Sequence, residues 1–316
     1  MIDIKDIWSA YHHNKPFIRN TPLEYSRELG SISKAEVFLK MECWQHTGCF
    51  KPRGAFNCLR LLDEKQKKCG VIAPTAGNHG LGLSYAANKL GIPVHIYLPE
   101  STDPMIIETL KYHNAIISTF PDIETAHKEA QKTAESKNLK FISAYNNKGM
   151  IAGGGTIGIE ILEELSDVDV VIVCIGGGGL ISGIGSFLKK NNPSIQIWGA
   201  QTENSPTFIR WFEAGKTVPV NIRPSIAPGL SGTIEPETIT FPIIKETVDR
   251  MISLTEGELI NGMRLMAKHH QQIVEPSGIA AVAAVMKMAD QLSGKKIAAI
   301  VTGRNISYGE FNILVK

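Results

Sequence analysis

The run Gly176-Gly177-Gly178-Gly179 constrains this chain more than any other feature. Each glycine forgoes roughly 1 kcal/mol of backbone order relative to alanine, so four in a row are wasteful unless the backbone must come close to something. The run follows a β-branched apolar stretch at 170–175 and precedes a helical pattern at about 180–190 and another apolar stretch at 195–200. Strand, glycine turn, helix and strand make a βαβ unit. The N–H groups of such a turn can close around a phosphate at the helix N-terminus, where the dipole also favours an anion. A tight structural turn is the plainer alternative.

The same alternation recurs on either side. Residues 69–73 read as a strand that runs into Pro74-Thr75-Ala76-Gly77-Asn78, then a helix near 79–90 and a strand at 94–98. A further strand at 297–301 feeds Thr302-Gly303-Arg304-Asn305. The pattern predicts an α/β fold in which helices cover a parallel sheet. Ligands of open α/β sheets bind beyond the carboxyl ends of strands, so these three ends are expected to share one cleft. With no long linker or internal repeat, a discontinuous arrangement is expected: residues 51–142 as a small domain inserted into a large one of residues 1–50 and 143–316.

Bulk properties narrow the function. At 316 residues and 43% apolar composition the chain can bury a sizeable core, and 33 basic against 31 acidic side chains leave a charge of only +2. That balance argues against a nucleic-acid partner. No apolar run approaches the roughly 20 residues that span a bilayer. The acidic, mixed N-terminus looks like neither a signal nor a transit peptide, so a cytoplasmic protein is expected. Five cysteines, with no C-x-x-C and no histidine at finger spacing, suit free thiols in a reducing compartment and no metal site.

Two stretches imitate nucleotide motifs. Gly153-Gly154-Gly155-Thr156-Ile157-Gly158 matches G-x-G-x-x-G, but the preceding Asn146-Asn147-Lys148-Gly149 reads as loop, not strand. The tetraglycine lacks the third glycine of that fingerprint, and the next strand ends at Gln201 instead of an acid. Lys51 is more informative. Gly48 and Gly54 allow close backbone approach, Phe50 is an apolar neighbour, and a lysine in a dry site can lose its proton and act as a nucleophile. Arg53 reads equally well as an ion-pair partner or a cofactor ligand. The segment Thr75-Ala76-Gly77-Asn78-His79-Gly80 could hold a carboxylate on its N–H groups or could simply cap a helix. His79 is open to an acid–base or a scaffold role, His269-His270 read as exposed or structural, and Met263 and Met266 as core.

Taken together these segments resemble the threonine/serine dehydratase branch of the fold type II pyridoxal-phosphate (PLP) enzymes, which share the tryptophan synthase β-subunit fold. Residues 47–54 look like that branch's T-G-S-F-K-x-R-G, 75–80 like S-x-G-N-H-x, 176–180 like G-G-G-G-L, Glu275-Pro276-Ser277-Gly278 like E-P-[AS]-G, and Thr302-Gly303 like S-G. The resemblance runs nearly end to end and implies two open twisted sheets flanked by helices. It also implies that Lys51 carries PLP and removes the Cα proton, and that Gly176, Gly177, Gly178, Gly179 and Leu180 cradle the phosphate. Asn78 would meet the ring hydroxyl, Phe50 the ring face and Thr302 the ring nitrogen, with Glu275 completing the cofactor site. Thr75, Ala76, Gly77, Asn78 and His79 would receive the substrate.

The implied activity is α,β-elimination from a β-hydroxy amino acid of the threonine, serine or 3-hydroxyaspartate type, giving a 2-keto acid and ammonia, in a homodimer or larger assembly. Departures qualify it. Racemases of the family look like S-S-G-N-H and use the second serine as a base, whereas Ala76 cannot take a proton. Gln201 and Thr207 stand where metal-binding members carry acids. Cys49, Ser143-Ala144, Gly154, Pro228 and Arg304 replace Ser, His-Pro, Gln, Asp and Gly, and Arg304 could pair with a second substrate carboxylate or lie at the surface. A diamino acid lyase, a racemase and a noncatalytic amino-acid or cofactor binding protein remain as alternatives. The chain ends soon after Thr302, so no C-terminal regulatory domain is expected.

Overall fold

The structure is a computed structural model and describes residues 2–316. Its strands are β1 (Leu23–Tyr25), β2 (Glu36–Lys40), β3 (Val71–Pro74), β4 (Val94–Pro99), β5 (Ile116–Phe120), β6 (Lys140–Phe141), β7 (Val170–Cys174), β8 (Gln196–Thr202), β9 (Arg250–Leu254) and β10 (Lys296–Ile300). They form a larger sheet in the order β1-β2-β10-β7-β8-β9 and a smaller one in the order β5-β4-β3-β6. Every pairing is parallel except the edge pair β1–β2. Each strand expected from the apolar pattern forms, with ends displaced by no more than two residues. The three strand ends expected to share a cleft come from both sheets: β3 belongs to the smaller, β7 and β10 to the larger.

Parallel sheets need cover on both faces, and β7 shows how the sequence provides it. Val170 and Ile172 join one apolar cluster with the helix Ala280–Lys287. Val171 and Val173, pointing the other way, join a second with Ile181, Ile184 and Leu188 of the helix Gly179–Asn191. Met263 and Met266 are fully buried in the first cluster, as expected. His270 bonds the Ser26 hydroxyl at 2.9 Å and His269 lies 3.6 Å from Glu28, so both serve the scaffold. Among the described residues no helix is long and apolar enough to cross a membrane.

The glycine-rich stretch 153–158 is the middle of the helix Lys148–Glu164, not a turn after a strand. Glycine is a poor helix former, and here packing overrides propensity. A Cβ on Gly153 would sit 2.2 Å from the Arg53 carbonyl oxygen, and one on Gly183 would sit 2.2 Å from that of Ile151. The helix is thus pressed backbone to backbone between the helices Lys51–Arg60 and Gly179–Asn191, which ties the Lys51 helix to the tetraglycine helix.

An ion network fixes the Lys51 helix from the other side. Arg53 is fully buried, and its guanidinium grips Glu42 through Nε and Nη2 at 2.7 and 2.8 Å and Glu160 through Nη1 and Nη2 at 2.6 and 2.8 Å. Lys40 adds a 2.8 Å pair to Glu160, so two cations face two carboxylates in the interior. Burial alone would raise the Glu42 carboxyl, but Arg53 and Lys40 outweigh it and hold the group below its usual range. Arg53 therefore acts as the ion-pair partner allowed by the sequence. Replacing Arg53 by Met would leave two buried carboxylates facing Lys40 alone, a net buried charge, and should lower unfolding free energy by about 3–5 kcal/mol. Urea denaturation of the two proteins checks this, and a midpoint shift worth under about 1 kcal/mol would refute the role.

Candidate active site

Lys51 opens its helix directly after a segment laid along the end of β10. The Phe50 amide donates to the Thr302 carbonyl at 3.1 Å, and the Arg304 amide donates to the Gly48 carbonyl at 2.9 Å. Cys49 pairs with Gly303 as an isolated antiparallel bridge. The Lys51 amine donates to the Ala144 carbonyl at 3.2 Å and lies 4.9 Å from the Phe50 ring centroid. Desolvation pushes its pKa below the ordinary lysine value. Burial raises the neighbouring thiols Cys49 and Cys174 to about 12 and about 11, so neither supplies a counter-charge near neutral pH.

The tetraglycine turn lies one residue along from that contact. Ala144 receives the Lys51 bond, and the next residue, Tyr145, lays its ring against Gly177 and its backbone against Gly179. A Cβ on Gly177 would overlap the Tyr145 ring at 2.1 Å, and one on Gly176 would lie 2.3 Å from the Gly229 carbonyl oxygen. Gly178 has φ +82°, where a side chain is strained. Packing thus accounts for part of the glycine content, as the plainer reading held. The same turn also leaves its own donors open. Among the described residues, no acceptor in the protein takes the N–H groups of Gly176, Gly177, Gly178 or Gly179, which gather at the N-terminus of the helix Gly179–Asn191. Orphan N–H groups at a helix start suit a phosphate.

The helix Asn78–Leu90 starts opposite. Here part of the sequence reading narrows: the Thr75 hydroxyl accepts from Gly77 and Gly80 N–H at 3.0 and 3.3 Å, so it caps the turn. Ala76 is exposed, and the amides of Asn78 and His79 have no backbone acceptor ahead of them. His79 Nε2 donates to the Ile142 carbonyl at 3.1 Å, and burial lowers its pKa to about 3. Its ring is a neutral scaffold group near pH 7, and only its main chain remains for an anion.

Asn78 Nδ2 donates to Glu275 Oε1 at 2.8 Å, and Glu275 is pushed up to about 7 because burial outweighs its hydrogen bonds. Thr302 is buried with its hydroxyl 3.5 Å from Cys174 Sγ. The structure therefore brings together Phe50, Lys51, Asn78, Glu275, Thr302 and, through residues 144–145, the glycine turn with Leu180. Arg304 is exposed beside Gly48. Gln201 spends its amide oxygen on Phe208 and Ile209 N–H at 3.1 and 3.2 Å, capping a helix. All five cysteines are free.

Sequence reasoning missed Asn305, Tyr145 and Glu235. The Tyr145 hydroxyl donates to Glu235, and Asn146 Nδ2 reaches the same carboxylate at 3.1 Å, closing the outer side of the glycine turn. The faint signal for Asn305 was its position in the polar loop after β10.

The sequence pattern of the pyridoxal-phosphate-dependent enzyme family matches residues 15–303. The L-threonine ammonia-lyase of Thermotoga maritima is 37% identical over 97% of this chain and 76% of its own length. The L-threo-3-hydroxyaspartate ammonia-lyase of a Pseudomonas species is 32% identical over 98% of both chains. Maize serine racemase superposes with a TM-score of 0.93 at 30% identity, over 98% of this chain and 96% of the racemase. Fold and site thus define a PLP-dependent enzyme of fold type II. Within that class the chain belongs to the threonine/serine dehydratase branch, and it is a PLP-dependent lyase.

The raised Glu275 pKa has a signed consequence for stability. Its carboxyl titrates near 4.5 when unfolded and about 7 when folded, so its contribution is fully present below pH 4.5 and is lost as pH rises through 7. Glu275→Gln removes that loss. In cofactor-free protein the variant should gain on wild type by on the order of 3 kcal/mol between pH 4.5 and 8.5, measured by urea unfolding at each pH. A difference that does not change with pH would contradict this reading of the site.

Proposed function

We propose that this enzyme converts a β-hydroxy amino acid of the threonine, serine or 3-hydroxyaspartate type to a 2-keto acid and ammonia by α,β-elimination. The observation that carries this reading is the Lys51 amine: it is desolvated, has no carboxylate partner, and is joined to the glycine turn by residues 144–145. PLP, when bound, supplies an electron sink that acidifies the Cα of an attached amino acid. Lys51 would hold the cofactor's aldehyde, the N–H groups of Gly176–Gly179 and Leu180 its phosphate, Asn78 its ring oxygen, Thr302 its ring nitrogen and Phe50 its ring face, with Glu275 behind Asn78.

The substrate carboxylate would be taken by the free amides of Ala76, Asn78 and His79 at the helix start. Lys51, its charge disfavoured by burial, then serves as the base for the Cα proton. Ala76 offers no second base, which favours elimination over racemisation. Free thiols suit a reducing cytoplasm. All four strands of the smaller sheet fall within residues 51–142, and we take that stretch as a small domain set into residues 1–50 and 143–316, in a homodimer or larger assembly.

A panel of L- and D-serine, L-threonine, L-threo- and L-erythro-3-hydroxyaspartate and diaminopropionate, assayed for keto acid and ammonia, tests the proposal. At least one hydroxy amino acid should yield both products, and Lys51→Ala should lose about 10²–10⁴-fold or more of that rate. Activity confined to diaminopropionate, conversion of L- to D-serine without keto acid, or keto acid formation that survives in the variant would each overturn it.

A further inference from the structure

Two asparagines, a glutamate and a backbone carbonyl form a chain of bonds behind the proposed cofactor site. Asn305 Nδ2 donates to the Thr47 carbonyl at 2.8 Å and to Asn78 Oδ1 at 2.5 Å. Asn78 Nδ2 donates to Glu275 Oε1 at 2.8 Å, and the same oxygen accepts from the Asn305 main-chain N–H at 3.4 Å. The orientation of each amide follows from its partners. A backbone carbonyl only accepts, so the nitrogen of Asn305 must face Thr47. The second hydrogen on that nitrogen then faces Asn78, which must answer with its oxygen. Asn78 is left with its nitrogen towards Glu275 and one hydrogen unspent.

We infer that Asn305 is a positioning residue that holds the Asn78 amide so that its nitrogen, not its oxygen, is available to the cofactor. The inference rests on the assignment of Asn78 to the ring oxygen made above, and deepens it. Asn305 need not touch the cofactor. It transmits the polarity of the Thr47 carbonyl, four residues before Lys51, to a side chain on a different helix. Space around it is tight. Gly48, at φ +72°, would place a Cβ 2.5 Å from Asn305 Oδ1, and a Cβ on Gly303 would lie 2.0 Å from Glu275 Oε1. The amide therefore has little room to sit otherwise.

Asn305→Asp keeps the shape and replaces the donor by an oxygen. The carboxylate so introduced would repel the Thr47 carbonyl and turn the Asn78 amide over, so that an acceptor faces the ring oxygen. The test uses purified holoenzyme of wild type, Asn305→Asp, Asn78→Ala and the double variant, read by the visible absorption of bound PLP and by its dissociation constant. Asn305→Asp should weaken PLP binding roughly tenfold or more and alter the visible band. In the Asn78→Ala background it should add nothing further, because it acts through that side chain. If Asn305→Asp does not fold, Asn305→Ser is read in the same way. A variant spectrum and affinity equal to wild type, or losses that multiply in the double variant, would overturn the inference while leaving the elimination chemistry intact. A wild-type chain that shows no visible PLP band would instead sink the functional reading itself, and this inference with it.

Discussion

The site depends on one docking contact, the segment before Lys51 laid along the residues that follow β10. Backbone bonds at Phe50–Thr302 and Gly48–Arg304 and the Cys49–Gly303 bridge bring residues some 250 positions apart into register. Everything proposed for the cofactor stands on that seam. It sets Lys51 at the start of a helix, places Thr302 beside Cys174 at the end of β7, and brings Asn305 to Asn78. A strand end alone gives a cleft, but this seam gives the cleft its reactive amine.

Two further constraints keep the seam rigid. The glycine-rich helix 148–164 lets three helices touch at backbone distance, which joins the Lys51 helix to the tetraglycine helix with almost no intervening side chain. The Arg53 network works in the opposite manner, through charge. Its doubly bidentate geometry engages both carboxylates, and with Lys40 the two cations balance the two anions, so the network two residues from Lys51 carries no net charge.

Local features were legible in the sequence. β-branched runs became strands within two residues, and the glycine turn at a strand end was found because strand, turn and helix are contiguous. Lys51 and Asn78 stand out in the sequence through the short motifs around them. What escaped were partnerships between distant residues. Asn305 lies 227 positions from Asn78 and 258 from Thr47, and Glu235 lies 90 from Tyr145. No periodicity or spacing encodes such pairs. The stretch 153–158 was ambiguous for another reason: glycine serves close approach in a turn and between helices alike, and only the neighbours tell the two uses apart. The Thr75 hydroxyl, open to a ligand in the sequence, uses its oxygen to accept two N–H groups of its own turn and keeps its hydrogen free to donate.

The cleft is also electrically quiet, and this gives the amine its importance. Burial favours the uncharged state in one group after another: His79 titrates at about 3, Cys49 at about 12, Cys174 at about 11 and Glu275 at about 7. Neither the two thiols nor the imidazole carry charge near neutral pH, and burial shifts Glu275 towards its neutral form. Against that background stand two unbalanced features, a row of orphan N–H groups at a helix start and a lysine whose ammonium is disfavoured. On the proposed reading, a phosphate would be held by the first, and an aldehyde would be met by the second as a nucleophile. One ligand that carries both groups would suit both, and this is the physical ground for assigning the turn and the lysine to the same molecule.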